Sequence, residues 1–533
     1  MPTITLPYSK AGYYSDLILD YLEKKPELKA FYNRFPSVPA FGQQIEERSS
    51  SFSSDIRESL ATVLQSQYAG SEASEATLDN IELLKQDNSY SITTGHQLNL
   101  FSGPLYFLYK IFSVINLCER LKVEYPDKNF VPVFWMASED HDFDEINYFN
   151  LHGKKFQWQR DAAGAVGELP TDGLEDVAGL LGSELGGSKN GLFLTDLFKA
   201  AYLKHQNLSE ATRYLANALF AKYGLVIIDG DDQGLKRHVA PYFKRELLDQ
   251  LTEQKVVSTS EQLEALGYKR QVNPRQINLF YLQPGSRSRI IVTETGYALS
   301  DGSLLWTQEE ILEELEKHPE RFSPNALLRP LYQEVILPNL CYIGGGGELA
   351  YWMQLKSCFE AFEVPFPMIM LRNSALLSSS KQWKKFENFD IPVDWLFLKQ
   401  QELINRYTHK LSEVKIDFSS QKAYLVDQFK ALHDLASQTD RSFEGAGAAQ
   451  EKKQLNGLDR LEKRLLKAQK RKLADHLDRL TDLQNELFPR NSLQERGVNF
   501  AEFFLLWDED LMSRLKRDLD PLNSEFSIVV MAD

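Results

Sequence analysis

The chain has 533 residues, 43% hydrophobic and 12% aromatic, enough for a large buried core and, at roughly 100–200 residues per domain, for more than one domain. A formal charge of −15 excludes a general nucleic-acid surface, which needs a basic face, but leaves room for a local basic pocket. No apolar run approaches the ~18 residues that cross a bilayer, so no membrane partner is expected, and the first residues lack the basic and apolar regions of a signal peptide. The three cysteines, Cys118, Cys341 and Cys358, sit in apolar surroundings, which argues against a disulfide framework and for a cytoplasmic location.

Residues 1 to about 85 read as mainly helical, with helical spacing over 13–28 and 45–66 and no chemical signature. A β-branched run at 90–94 predicts a strand, and a helix is predicted from Pro104, which suits a first turn because its missing N–H costs nothing there. Leu105, Phe107, Leu108, Ile111, Phe112, Ile115 and Leu121 give that helix an apolar side broad enough to be largely buried. The intervening loop, Gly95-His96-Gln97-Leu98-Asn99, leaves His96, Gln97 and Asn99 free to point outward. In open α/β sheets ligands bind where strands end and helices begin.

A second strand at 130–137 is continuously apolar, as a strand buried on both faces should be. It runs into Ser138-Glu139-Asp140-His141-Asp142. The strand–helix–strand spacing is that of a right-handed βαβ unit, which puts this acidic loop beside the 94–99 loop. From 152 to about 206, Gly, Ala and acidic residues predominate, and surface loops are expected. A third unit follows: a helix at 210–223, a strand at 225–228, then Asp229-Gly230-Asp231-Asp232. Residues 257–305 alternate polar and apolar, with a β-hairpin predicted around Pro284-Gly285. A fourth unit comprises a helix at 327–336, a strand at 340–343, four glycines from Gly344 to Gly347, Glu348, and a helix at 349–362. A fifth apolar run at 365–371 ends at Arg372.

This alternation predicts an α/β fold with a Rossmann-like parallel-sheet core over 1–379, carrying insertions at about 152–206 and 235–325. Residues 380–490 lose the strand signal; Leu458, Leu461, Leu465, then Leu473, Leu477, Leu480 and Leu487 have coiled-coil or helical-hairpin spacing. A Gly/Ala break at 445–448 is expected to separate two helical arms. The tail, 491–533, regains Phe500, Phe503, Phe504 and Trp507 and is expected to pack back on the core.

His96 could donate to a phosphate or a developing oxyanion, or move a proton, alongside Thr94, Gly95, Gln97 and Asn99; the plainer alternative is a structural loop histidine. The cluster Glu139, Asp140, His141, Asp142 could contact a substrate amine and act as base, hold a divalent metal, or merely cap the next helix. Gly345 and Gly346 suit a backbone that approaches a ligand closely, or a tight turn in which Glu348 is a helix-start charge; the run matches neither the Walker A loop nor the dinucleotide fingerprint. Asp229 and Asp231 end another predicted strand, and Arg329, Lys356 and Arg372 could balance anionic substrate groups.

Four segments together resemble one family. Thr94-Gly95-His96-Gln97-Leu98-Asn99, the run from Trp135 to Phe143, the glycine run with Glu348 and Ala350-Tyr351-Trp352, and Leu493-Gln494-Glu495-Arg496 are similar to the BshC family, cysteine-adding ligases of bacillithiol biosynthesis. The resemblance extends over most of the chain. It implies a Rossmann-like core with inserted connective segments and a helical coiled-coil region that makes a homodimer. It also implies the partners, cysteine and glucosaminyl-malate, whose amine joins the cysteine carboxyl group to give bacillithiol. The family core is similar to nucleotidyltransferases of the class I aminoacyl-tRNA synthetase type, whose His–x–Gly–His loop binds ATP phosphates. Only Gly95-His96 matches here, with Thr93 in place of the first histidine, so ATP stays open as activating cosubstrate, as does any metal.

On this reading His96, Asp140, His141 and Asp142 are the catalytic candidates. Thr94, Gly95, Gln97, Asn99, Glu139, Asp229, Asp231, Gly345, Gly346, Glu348, Tyr351 and Arg372 are the substrate- or nucleotide-binding candidates, and no residue is assigned to a metal. A metal-dependent hydrolase using Glu139–Asp142 and Asp229, and a coiled-coil scaffold, are the competing classes.

Overall fold

Five strands make one parallel sheet: β1 (Ser89–His96), β2 (Asn129–Met136), β3 (Val226–Asp229), β4 (Asn339–Gly344) and β5 (Met368–Leu371). The computed structural model in which they lie describes residues 3–439 and 441–532. These residues divide into two units, one containing Tyr13–Leu377 and Leu493–Met531, the other Ser378–Ser492. The expected Rossmann-like sheet is present in the first unit, in the spatial order β3-β2-β1-β4-β5. Strands β1 to β3 step outward in one direction and β4 starts again on the other flank of β1, so the order reverses between β1 and β4. At such a reversal the crossover helices lie on opposite faces and a crevice opens at the carboxyl ends of the strands.

The register aligns those ends. His96 pairs with Met136, Met136 with Asp229, and Gly344 with Leu371. Every residue of β1 is buried, and β2 is buried from Phe130 to Met136, which is why both read as uninterrupted apolar or small-residue runs. Helix α1 (Tyr106–Glu124) connects them and buries Phe107, Leu108, Ile111, Phe112 and Ile115. It starts two residues beyond Pro104. In between, Phe101, Ser102 and Gly103 all take positive φ, and Asn499 from the C-terminal segment holds this turn by donating Nδ2 to the carbonyls of Phe101 (2.8 Å) and Gly103 (2.7 Å). Strand Ile4–Pro7 pairs antiparallel with Glu525–Met531.

Several expectations are corrected. β1 runs through Gly95 to His96, so the loop begins at Gln97. The segment 152–206 is not mostly loop: Leu174–Leu185 and Lys189–Tyr202 are helices, the first burying Leu174, Val177, Ala178, Leu181 and Leu185 on one stripe that its glycines and acidic residues obscured. The alternating stretch opens with a helix, Leu251–Ala265, before the hairpin Leu279–Gln283 and Ser286–Thr293 enters a five-stranded antiparallel sheet. The helix predicted over 349–362 is two, Gly346–Met353 and Lys356–Phe362.

In the second unit Ser419–Ala436 and Arg441–Lys472 are helices joined side by side through Lys422, whose Nζ lies 2.6 Å from Asp459 and 2.5 Å from Glu462. The Gly445–Ala448 stretch lies inside the longer helix and does not break it. Among the described residues no helix is long and apolar enough to cross a membrane.

Candidate active site

A cleft of about 660 Å³ opens at the carboxyl edge of β1, β2 and β4, where the strand order reverses. Gly95, His96 and Gln97 supply its β1 wall; Ser138, Glu139, Asp140 and His141 follow β2; Tyr342, Glu348 and Tyr351 follow the β4 side. The adjacency expected of the two loops holds: the Ala137 N–H donates to the His96 carbonyl at 3.0 Å, and Gln97 Nε2 donates to Asp140 Oδ2 at 2.9 Å and to Glu145 Oε2 at 2.9 Å.

His96 does not point freely outward. It is buried between the rings of Tyr106, edge-on at 5.6 Å, and Phe107 at 5.1 Å. Burial, with Lys110 adding to it and Glu348 opposing, pushes the imidazole down to about 3, so the ring is neutral at physiological pH. The ring donates to the Ser102 main chain, while Nε2 has no partner among the described residues. A ring whose Nδ1–H is spent this way presents Nε2 as an acceptor.

Behind it a charge pair spans the reversal point. Lys110, buried on the otherwise apolar face of α1, donates Nζ to the Gly95 carbonyl at 2.7 Å and lies 2.7 Å from Glu348 Oε2. Glu348 also accepts from Tyr342 Oη at 2.6 Å and from the Gly345 N–H at 2.8 Å. Burial works to raise the Glu348 carboxyl, but Lys110, Tyr342 and that N–H hold it below its ordinary value. At Gly95 a Cβ would lie 3.1 Å from Tyr342 Oη, so a larger residue there would press on that hydroxyl. At Gly344 a Cβ would meet Glu348 Cβ and Tyr342 Cε1 at 2.9 Å, so this glycine serves close packing of the helix that carries Glu348.

On the acidic side the side chains separate. Asp140 accepts from Gln97 and, through Oδ1, from the His141 N–H at 2.8 Å. His141 Nδ1 lies 2.8 Å from Arg287 Nη1, and burial and Arg287 push its titration down. Glu139 is paired with the buried Lys236 at 2.7 Å, and Lys236 also binds Asp231 at 2.5 Å.

Other candidates lie off the cleft wall. Thr94 is fully buried and donates Oγ1 to the Ile343 carbonyl at 2.7 Å, clamping β1 to β4. Asn99 is buried and donates to the Glu145 carbonyl at 3.3 Å. Asp142 is exposed, and Asp229 accepts from Ser138 Oγ and the Asp231 N–H. Gly345 and Gly346 do not line the cleft. Arg372, expected to meet substrate, instead pairs with Glu495 at 2.7 Å in a buried ion pair and covers the Tyr106 ring at 4.8 Å. Among the described residues no three His, Cys, Asp or Glu side chains converge as metal ligands.

Sequence reasoning missed Lys110, Tyr342, Arg287 and Lys236. Lys110 interrupts an apolar helix face, a signal that was available. Arg287 comes from the hairpin insertion, and nothing local marks it as facing the cleft. Arg329, named only as a general anion balancer, lines the cleft beside Trp135 and Tyr342, its Nη2 buried and without a partner among the described residues.

Two family models divide the chain between them: "Bacillithiol biosynthesis BshC, N-terminal Rossmann-like domain" matches residues 1–373, and "Bacillithiol biosynthesis BshC, C-terminal coiled-coil domain" matches 375–531. The chain belongs to the BshC family. Relatives named "Putative cysteine ligase BshC" agree along the whole length. The one from Christiangramia forsetii is 55% identical, covering 99% of each chain. That of Flavobacterium johnsoniae is 54% identical over 100% of each, and that of Koribacter versatilis is 31% identical over 96%. The BshC coiled-coil match covers the helical segment 378–492 and the C-terminal segment 493–531, and the Rossmann-like match contains all five parallel strands.

Proposed function

We propose that this chain is a carbon–nitrogen ligase that joins the carboxyl group of cysteine to the amine of glucosaminyl-malate, forming bacillithiol in the cleft at the β1–β4 reversal. One observation carries the reading: that single cleft holds carboxylates that can accept a proton (Glu139 and Asp140) together with Arg329, whose buried Nη2 has no partner among the described residues. Amide formation needs both. An amine must lose a proton before it attacks, and a carboxylate must be activated, most simply as an acyl-phosphate or acyl-adenylate, whose leaving group is anionic. Arg329 is the donor best placed for that anion. Lys110 is already neutralised by Glu348, and the Gly345 N–H is already given to it. If ATP is the activating cosubstrate, Arg329 is the residue that would receive its phosphates. The glycine run does not line the cleft.

The reading includes a reducing, cytoplasmic setting, supported by three buried free thiols. It also includes a homodimer through the helical unit, supported by Tyr424, Leu435 and Leu461, which are exposed on its helices. In cells relying on this chain for bacillithiol, His96→Ala and Asp140→Ala are expected to abolish the thiol, while the purified variants keep the wild-type circular dichroism and oligomeric state. Normal bacillithiol with either variant overturns the assignment.

A further inference from the structure

Glu139 stands apart from its neighbours on the acidic loop. Asp140 has both carboxylate oxygens engaged, His141 has Nδ1 on Arg287, and Asp142 is exposed outside the cleft lining. Glu139 lines the cleft at 9% exposure, with Oε1 held 2.7 Å from Lys236 Nζ. Its Oε2 makes no hydrogen bond to any described residue.

Lys236 does not line the cleft. It is fully buried on the helix Gln233–Asp249, and its ammonium meets three acceptors: Glu139, Asp231 at 2.5 Å and the Glu320 carbonyl at 2.9 Å. Two of these contacts are hydrogen bonds, to Asp231 and the Glu320 carbonyl, and the third is the ion pair with Glu139. Glu139, Lys236 and Asp231 together keep one net negative charge, and of the three only Glu139 lines the cleft. Replacing a buried ion triad with apolar residues is often neutral or stabilising, so stability alone is a weak reason for keeping this one.

We propose that Glu139 is the subsite that receives the primary amine of the second substrate, and that Lys236, with Asp231 behind it, positions that carboxylate. The proposal rests on the ligase reading, which identifies the amine as that of the amino sugar. The ammonium R–NH₃⁺ hydrogen-bonds Oε2 and passes one proton to it, leaving R–NH₂ with its lone pair and Glu139 as the neutral acid. The lone pair then forms the bond to the activated cysteine carbonyl. A phosphate-class leaving group departs with the electron pair of the broken C–O bond, and the second nitrogen proton leaves with it.

Glu139 is faced by Lys236 and Asp231 from behind, by Arg287 from the hairpin, and by Tyr332. Burial raises its carboxyl, Lys236 opposes this, Asp231 adds to it and Arg287 opposes; the result is a value above that of an ordinary glutamate, which makes it the stronger base. Lys236's pull exceeds Asp231's push, so losing both charges raises Glu139 further.

Calorimetry on the full-length chain tests this with two probes, glucosaminyl-malate and the same compound N-acetylated, which has no basic amine. The wild type is expected to bind the free amine about tenfold or more tighter at pH 8, a charge-assisted hydrogen bond's worth, with the preference fading as pH falls. Glu139→Gln is expected to lose the preference while binding the acetylated probe as the wild type does. Lys236→Met, and the double variant Lys236→Met with Asp231→Asn that leaves no unpaired buried charge, are expected to lose the preference at higher pH than the wild type. A preference retained in Glu139→Gln overturns the amine subsite, and wild-type pH dependence in the double variant overturns the role of Lys236. A wild type that binds neither probe overturns the ligase reading itself.

Discussion

At the scale of single residues the chemistry turns on charge states that burial sets. His96 is neutral because solvation of the imidazolium is unavailable between Tyr106 and Phe107 and because Lys110 adds positive charge nearby. This has a consequence for stability. The unfolded ring titrates near ~6.5 and the folded ring near about 3, so as pH falls the unfolded state takes up the proton first. The stabilisation is complete above pH ~6.5 and erodes below it, by at most about 1.4 kcal/mol per pH unit. Urea midpoints measured at pH 7 and pH 5 should therefore fall less for His96→Gln than for the wild type. Equal falls would contradict a neutral buried ring. The position of His96 at the cleft is legible in the sequence, because a histidine after a buried strand stands where crevices open in an α/β sheet. Its role as acceptor is not, since that depends on Ser102 folding back through a turn of three positive-φ residues. Lys236 is hidden for a similar reason: its partners lie 5 residues away at Asp231, 84 away at Glu320, and on the acidic loop.

At the scale of elements, the segment after residue 492 acts on the site through the core. Glu495 accepts from Arg372 and Ser374 through Oε1 and from the Ala375 N–H through Oε2; Arg372 in turn lies over Tyr106, which packs edge-on against His96. Glu495→Gln leaves a buried guanidinium without its counter-ion, a change worth about 3–5 kcal/mol. The expected outcome is a lower melting temperature and faster amide hydrogen exchange over 493–499. Unchanged exchange there would contradict the clamp. This explains why Leu493-Gln494-Glu495-Arg496 stood out as a motif, though the sequence pointed Arg372 at substrate. A buried arginine beside a strand end looks the same on paper whether its partner is a ligand or a carboxylate 123 residues later. Helices with a clean apolar stripe, such as α1, were readable to within a few residues. The pair at Leu174–Leu185 and Lys189–Tyr202 was not, because glycine and acidic residues dilute the pattern, and tertiary burial then outweighs weak propensity.

At the scale of the molecule, the strand order makes the site. Parallel strands separated by helical patterns were legible as such, and with the right-handed crossover rule they placed the 94–99 and 139–142 loops side by side. The return of β4 to the far flank of β1 was not legible, because pairing between residues 91 and 339 leaves no local trace. Yet that return brings Tyr342, Glu348 and Tyr351 to the same edge as His96 and creates the crevice. The proposed function makes one claim about this cleft: cysteine and glucosaminyl-malate meet at the carboxyl ends of β1, β2 and β4. A crystal structure of the full chain with glucosaminyl-malate tests it most directly. The account predicts density for the amino sugar within the cleft, between His96 and Tyr351, with its nitrogen against Glu139; well-defined density elsewhere on the chain, with this cleft unaltered, would contradict it.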